Sequence, residues 1–331
     1  MKVVRLHRPG QLSMDDERRP TPAPGEVLVR VRAVGVCGSD LHWFSAGGIG
    51  DAQLDRPLVL GHECAGVTEA GVRAAVDPAI PCGQCENCRQ GNPNLCPDVR
   101  FAGHAPQDGT LREWIAWPEA CLHPLPEALS DAEGALLEPL GVALHAVDLA
   151  HLRTGMTVAV LGCGPIGLLI VQLARLSGAN RIIATDLRAH RLEAASAFGA
   201  NDTLLAENRR ELPQVLSAAA GRGVDVAFEV AGEQPAVDVA IAAARPGGKV
   251  ILVGIPADDR TSFTASIARR KGLSIKLVRR MKHTYPRGIE LAATGQIQLL
   301  PLVTHRFPLE QAAEAFATAQ RREGVKVIIE L

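Results

Sequence analysis

The sequence predicts an α/β chain: a β-rich front part followed by a doubly wound parallel sheet. Two contrasts in texture carry this. Up to about residue 130, short apolar runs are broken by Pro, Gly and Asp, which reads as irregular all-β structure. From about 155 to 278, short continuous apolar runs alternate with helical periodicity, the pattern of strands buried on both faces between covering helices. Size agrees, since 331 residues at roughly 150 per domain suggest two domains.

The elements follow in order. Residues 27–34, Val-Leu-Val-Arg-Val-Arg-Ala-Val, form a β-rich run behind the turn Pro22-Ala23-Pro24-Gly25. More short runs fill 55–80. Residues 131–152 show apolar positions at helical spacing, with Ser130 as N-cap and Glu133 completing a capping box. Residues 157–161, bounded by Gly, read as a buried parallel strand. A helix over 165–176 follows, then a strand over 181–186, a helix over 190–198, and strands at 224–230 and 249–253. A helix over 309–321 and a strand over 325–329 close the chain.

Composition narrows the function. Thirty-five Lys plus Arg stand against 36 Asp plus Glu, a net charge of -1, so there is no sequence-wide attraction to nucleic acid or anionic membrane. Aromatic residues make up 3 %, so Val, Ile, Leu and Ala must build the cores. No apolar run is long enough to span a bilayer. The start of the chain lacks the apolar stretch of a secretory signal, so a cytoplasmic location is expected. Four of the eight cysteines cluster, which in that setting points to metal before disulfide.

Gly162-Cys163-Gly164-Pro165-Ile166-Gly167 is G-x-G-x-x-G between a strand and a helix, the context that gives this motif meaning. Gly162 makes the tight turn, Gly164 lets a pyrophosphate approach the backbone, and Gly167 lets helix pack on strand. The helix N-terminus supplies N–H groups for the phosphates. Asp186 ends the next strand, where a carboxylate can accept from a ribose 2′-hydroxyl and repel a 2′-phosphate. Arg188 and Arg191 could pair with such a phosphate, but Asp186 weighs toward NAD.

Cys82, Cys85, Cys88 and Cys96 place four thiols in one loop, 82–96, enough to close a tetrahedral shell around structural zinc. Two disulfides or an iron–sulfur cluster also fit the spacing. A second set comprises the segment Cys37-Gly38-Ser39-Asp40-Leu41-His42, then Gly61-His62-Glu63, and Glu138 farther on. Cys, His and carboxylate suit a catalytic zinc with one open position. By themselves, Cys37 could be a core thiol and His62 a hydrogen-bonding histidine.

Together these segments resemble the zinc-dependent medium-chain dehydrogenases/reductases over essentially the whole chain. Asp108-Gly109-Thr110-Leu111-Arg112-Glu113, Glu138-Pro139-Leu140 and Arg245-Pro246-Gly247-Gly248 add to the likeness. The polyol branch, of sorbitol and xylitol dehydrogenases, is the nearest. Simple alcohol dehydrogenases of the superfamily carry a third ligand Cys where this chain has Glu138.

The resemblance implies a GroES-like catalytic domain over 1–138, a Rossmann NAD-binding domain over 139–277, and a segment over 278–331 that returns to the first domain. It implies two zinc ions per chain, the catalytic one held by Cys37, His62 and Glu63. Glu138 would orient a water there or replace Glu63. Ser39 would relay the substrate proton and His42 carry it onward, unless His42 is simply a surface histidine. Arg280 would bind substrate hydroxyls, with Arg279 as the alternative. Trp43 and Phe101 would wall the pocket or belong to the core. Arg191 and Val253 would join the cofactor contacts. The expected substrate is a polyol or another secondary alcohol, L-threonine, 2,3-butanediol and L-idonate being the alternatives. An inactive nucleotide-binding relative is a remote one. A homotetramer or homodimer is implied.

Two departures stand out. Met281 replaces a Tyr common in the polyol enzymes, removing one hydroxyl contact. The stretch 66–77 is roughly a dozen residues short, so the expected β-hairpin is missing and a barrel edge is exposed or covered by a partner.

Overall fold

The computed structural model describes residues 1–206 and 211–331. The chain divides into two compact units, Met1–Gly141 with Lys282–Leu331, and Val142–Met281.

The first unit is built on a seven-stranded sheet. The strand Glu26–Gly35 lies inside it, paired antiparallel with Glu63–Thr68, Trp114–Pro118 and Lys326–Glu330. The last strand of the chain thereby returns to the first unit. The helix Ala312–Arg321 packs Phe316 against Phe44, with ring centroids 5.3 Å apart, and both belong to a core of Val, Leu and Ile side chains. The Tyr285 hydroxyl donates to Val76 O at 2.9 Å and pins the helix Tyr285–Ala293 to the same sheet.

The front part is not all-β. Gly38–Ala46 is a helix. Asp40 Oδ2 accepts from the Cys37 N–H at 2.9 Å, Gly47 closes the helix in the left-handed conformation, and Trp43 and Phe44 are buried. The flanking Gly and Ser residues give this segment a loop-like composition, which is why periodicity alone does not reveal it.

The hairpin expected to be missing is present. Glu63–Thr68 turns through four residues into Arg73–Val76, with Cys64 opposite Val76 and Val67 opposite Arg73. Gly71 at φ +82° supplies the left-handed residue, and Thr68 N–H donates to Val72 O at 2.9 Å. The outer edge of Arg73–Val76 is paired with Leu122–Pro124. The stretch 66–77 thus forms a hairpin whose outer edge is covered within the chain.

The second unit is a six-stranded parallel sheet in the order Asp202–Leu205, Arg181–Asp186, Thr157–Leu161, Val224–Glu229, Ala244–Leu252, Ser274–Leu277. All five residues of Thr157–Leu161 are buried, as its unbroken apolar run requires. Helices Pro165–Leu176, Ala189–Ala197, Leu212–Ala218, Gln234–Ala243 and Ala265–Lys271 belong to the same unit. The helix Asp131–Ala150 begins with the capping box: Glu133 Oε2 accepts from Ser130 N–H at 2.9 Å, and Ser130 Oγ accepts from Glu133 N–H at 3.3 Å. The final helix starts later than its periodicity suggests, because Pro308 leads first into a 3-10 turn over Leu309–Gln311.

Candidate functional site

In the first unit, donor atoms of Cys37, His62 and Glu63 lie within 4.8 Å of one another. Cys37 caps the helix Gly38–Ala46, and Glu63 opens the strand that pairs Gly35. His62 follows Gly61, whose φ of +91° turns the chain between them. A Cβ at Gly35 would stand 2.0 Å from Glu63 Oε2, so glycine there leaves the space the carboxylate fills. A thiol, an imidazole and a carboxylate converging at this range fit zinc, with a tetrahedral position to spare.

Ser39 Oγ lies 3.3 Å from His62 Nε2. On the other side, Asp40 Oδ1 stands 3.2 Å from His62 Nδ1 and accepts from Gly61 N–H at 3.1 Å. Burial pushes Asp40 up, but His62 and the two N–H donors outweigh it and hold the carboxyl below its usual range. Fixing Nδ1 this way selects the tautomer and leaves Nε2 for a ligand. Asp40 was not read as a site residue from the sequence. The signal available for it is its place three residues after Cys37, in the same Cys-Gly-Ser-Asp-Leu-His segment.

Lys326, on the last strand, forms a buried ion pair with Glu63 and donates to Val36 O at 3.0 Å. Burial disfavours its charge, yet Glu63 and Cys37 raise its pKa overall. No local pattern marks this residue, because its partner lies far off in sequence. Glu138 is 5 % exposed and stands outside the set of three close donors. Burial, reinforced by the charge of Glu63 and opposed by that of His62, pushes its carboxyl up to about 7.

Phe101 faces the His62 ring at 5.3 Å. Trp43 is 1 % exposed and packs in the core, edge-on to His104 at 5.2 Å. His104 was not among the expected residues. Its neighbour Gly103 packs on the backbone of Gly61, where a Cβ would come within 3.0 Å of Gly61 N. His42 is half-buried, one helical turn after Ser39.

The thiols of Cys82, Cys85, Cys88 and Cys96 also lie within 4.8 Å of one another. Amide N–H groups of Cys82 and Cys85 point at Cys96 Sγ and Cys82 Sγ, each at 3.3 Å. Such donors favour thiolate, and those from Gln84 and Cys85 lower the Cys82 thiol to about 7. Free thiols in this arrangement fit a closed four-sulfur zinc site.

In the second unit the three glycines have distinct surroundings. A Cβ at Gly162 would meet Ala231 N at 2.8 Å, and one at Gly167 would meet Gly162 O at 1.9 Å. A Cβ at Gly164 would find nothing nearer than Arg191 Nη1 at 3.9 Å, so the N-cap of Pro165–Leu176 is open to a phosphate. Pro165 and Ile166 form the first turn of that helix. Asp186 accepts from Cys163 N–H at 2.7 Å and from Arg188 N–H at 2.9 Å, while Arg191 Nη1 stands 4.0 Å from it. Val253 follows Ala244–Leu252 and donates to Glu229 O at 2.8 Å. This cradle fits a dinucleotide. Arg280 is half-buried at φ +53°, whereas Arg279 is exposed.

No helix among the described residues is long and apolar enough to cross a membrane. The alcohol dehydrogenase GroES-like domain model matches residues 23–127, and the zinc-binding dehydrogenase model matches 165–294. The chain is 38 % identical to the sorbitol dehydrogenase of Bacillus subtilis, over 99 % of this chain and 97 % of that one. L-idonate 5-dehydrogenase of Escherichia coli superposes with a TM-score of 0.92 at 27 % identity, covering 100 % and 98 %. A protein described as a short chain alcohol dehydrogenase of Escherichia coli, solved with NADH, superposes at 0.90 with 29 % identity, covering 100 % and 99 %.

Proposed function

The chain belongs to the zinc-dependent medium-chain dehydrogenases, in their polyol branch, and on that premise we propose that it oxidises a secondary alcohol of a sorbitol- or xylitol-like polyol to the ketose with NAD+. The observation that carries this is the convergence of Cys37, His62 and Glu63 within 4.8 Å, with Ser39 Oγ 3.3 Å from His62 Nε2, beside the position a metal on that nitrogen would take.

Cys37, His62 and Glu63 hold the catalytic zinc, and Cys82, Cys85, Cys88 and Cys96 the structural one. When bound, zinc polarises the substrate hydroxyl and lowers its pKa, and NAD+ takes up the hydride. Ser39 Oγ receives the hydroxyl proton and hands it toward His42. Asp40 and Lys326 keep His62 and Glu63 in place. Glu138, whose carboxyl is pushed up to about 7, would orient a water beside the metal or stand in for Glu63 toward it. Gly162, Gly164, Pro165, Ile166 and Gly167 bind the cofactor pyrophosphate. Asp186 binds the adenosine ribose, with Arg191 beside it, and Val253 contacts the cofactor farther along. Arg280 holds substrate hydroxyls, and its left-handed backbone is the kind of strain found at ligand clamps. Phe101 walls the site beside His62.

The free thiols of the lobe suit a reducing, cytoplasmic setting. A homotetramer or homodimer is supported by the edge strand Ser274–Leu277, whose Leu277 is 74 % exposed.

The test is NAD+ reduction across sorbitol, xylitol, ribitol, galactitol, L-threonine, 2,3-butanediol and L-idonate, before and after chelation. Chelation-sensitive turnover of one polyol well above the rest supports the proposal. Preference for L-idonate would move the substrate to a sugar acid, and turnover that survives complete zinc removal would overturn the mechanism.

A further inference from the structure

A groove on the sheet of the first unit belongs to neither metal site. It is an open concavity of about 460 Å³ lined by Arg19, Arg30, Arg32, Val67, Thr68, Glu69 and Trp114. Strand register explains the lining. Trp114 stands opposite Arg30, and Arg30 opposite Val67, so three adjacent strands set an indole, a guanidinium and a valine in one row. Arg32 is the extra residue where the register shifts between Val31 and Ala33. A bulge of this kind re-aims the side chain it carries. The four-residue hairpin turn after Thr68 brings Glu69 to the rim.

One wall is held in place. Arg19 Cζ lies 3.5 Å from the Trp114 ring centroid, and Arg19 Nη2 lies 2.6 Å from Glu69 Oε1. The other two guanidinium groups are poorly neutralised. Arg30 has no acidic partner among the described residues. The acid nearest Arg32 is Asp131, at 3.9 Å, and that carboxylate already accepts from Arg73 Nε at 3.0 Å and Nη2 at 2.9 Å. A chain of net charge -1 thus gathers three guanidinium groups against one carboxylate in a single concavity.

Guanidinium forks bind phosphate bidentately, and a concavity of this volume suits a small molecule better than a polymer. Glu69 at the rim disfavours a ligand that is anionic along its whole length. Val67 offers an apolar contact to a carbon skeleton. We propose that this groove binds a small phosphate ester of a sugar or polyol. Arg30 and Arg32 take the phosphate, Arg19 on Trp114 forms the side wall, and Glu69 accepts from a ligand hydroxyl.

The test uses the zinc-loaded enzyme with saturating NAD+, which occupies the dinucleotide turn. Glucose 6-phosphate is titrated by calorimetry and by tryptophan fluorescence. Trp43 and Trp117 are buried, so the half-exposed Trp114 reports on the groove. Saturable binding is expected, with glucose inert. Arg30→Gln and Arg32→Gln should each weaken it by about tenfold or more, about 1.4 kcal/mol. Arg269→Gln, elsewhere on the surface, should leave it unchanged. Both groove variants should keep the parent Tm, because neither arginine is in a core. Absence of saturation in the millimolar range overturns the proposal. So does binding that survives both substitutions, which would place the ester elsewhere. Binding of a polyglutamate peptide without binding of the ester would make the groove a protein-docking face instead.

Discussion

Asp40 and Lys326 never touch a substrate in the scheme above, yet they decide whether the metal ligands are usable. Asp40 bonds His62 Nδ1 and the amides of Cys37 and Gly61, so it ties two ligand segments together. Asp40→Asn should weaken zinc affinity about 10- to 100-fold, measured by competition with a chelator. Lys326 is the cation that lets Glu63 be buried at 1 % exposure. Lys326→Met leaves that carboxylate alone when zinc is removed. Stability of the chelated protein should fall by about 3 kcal/mol or more, and zinc should restore part of it. A Tm unchanged after chelation would show that Glu63 does not depend on the pair.

At the scale of elements, the devices are local and separable. The capping box at Ser130 starts the long helix through two reciprocal bonds. Ser130→Ala should cost about 1 kcal/mol, read from denaturant unfolding, with the zinc content unchanged. Asp225 links two strands of the parallel sheet: it accepts from Thr157 N–H at 2.8 Å and from Arg245 Nε at 2.6 Å. Burial pushes its carboxyl up, but the amide and the guanidinium outweigh that and hold it below the usual range. A group with a depressed folded value adds stability above its unfolded pKa, about 3.9, and loses it as pH falls through the folded value. Asp225→Asn should therefore flatten the acid limb of the stability–pH curve. An acid limb identical to the parent's would remove Asp225 from that account.

At the scale of the whole molecule, each unit has its own ligand and should respond to it separately. NAD+ should slow hydrogen exchange of the amides from Gly162 to Gly167, as binding to the native state alone stabilises by about 2.7 kcal/mol at a hundredfold excess over Kd. Chelation should speed exchange over 82–96 in the other unit, where zinc supplies folding energy. Slowing by NAD+ confined to the 82–96 loop would contradict the assignment of the glycine turn.

The sequence by itself determined the parts of this protein that depend on near neighbours along the chain. The glycine turn, the four-cysteine loop, the Ser130 capping box and the alternation of strand and helix in the second unit are written in spacing and periodicity, whereas the strands Asp202–Leu205 and Ser274–Leu277 and the order of the sheet are not. Cys37 and His62, unremarkable alone, could be singled out because they occur in one chain with the glycine turn and the four-cysteine loop. The helix Gly38–Ala46 is hidden, since its glycine and two serines look like a loop until Trp43 and Phe44 find a core to fill. The shortened stretch 66–77 looked like a lost hairpin, but a four-residue turn with Gly71 in the left-handed region suffices to keep both strands paired. Only the tertiary structure brought Lys326 to Glu63, gave Gly35 the space for that carboxylate, and set Arg30 between Trp114 and Val67. The physical reason is that these contacts arise from strand pairing between distant segments. Their energy comes from burial and charge at the meeting point, which no local pattern of residues encodes.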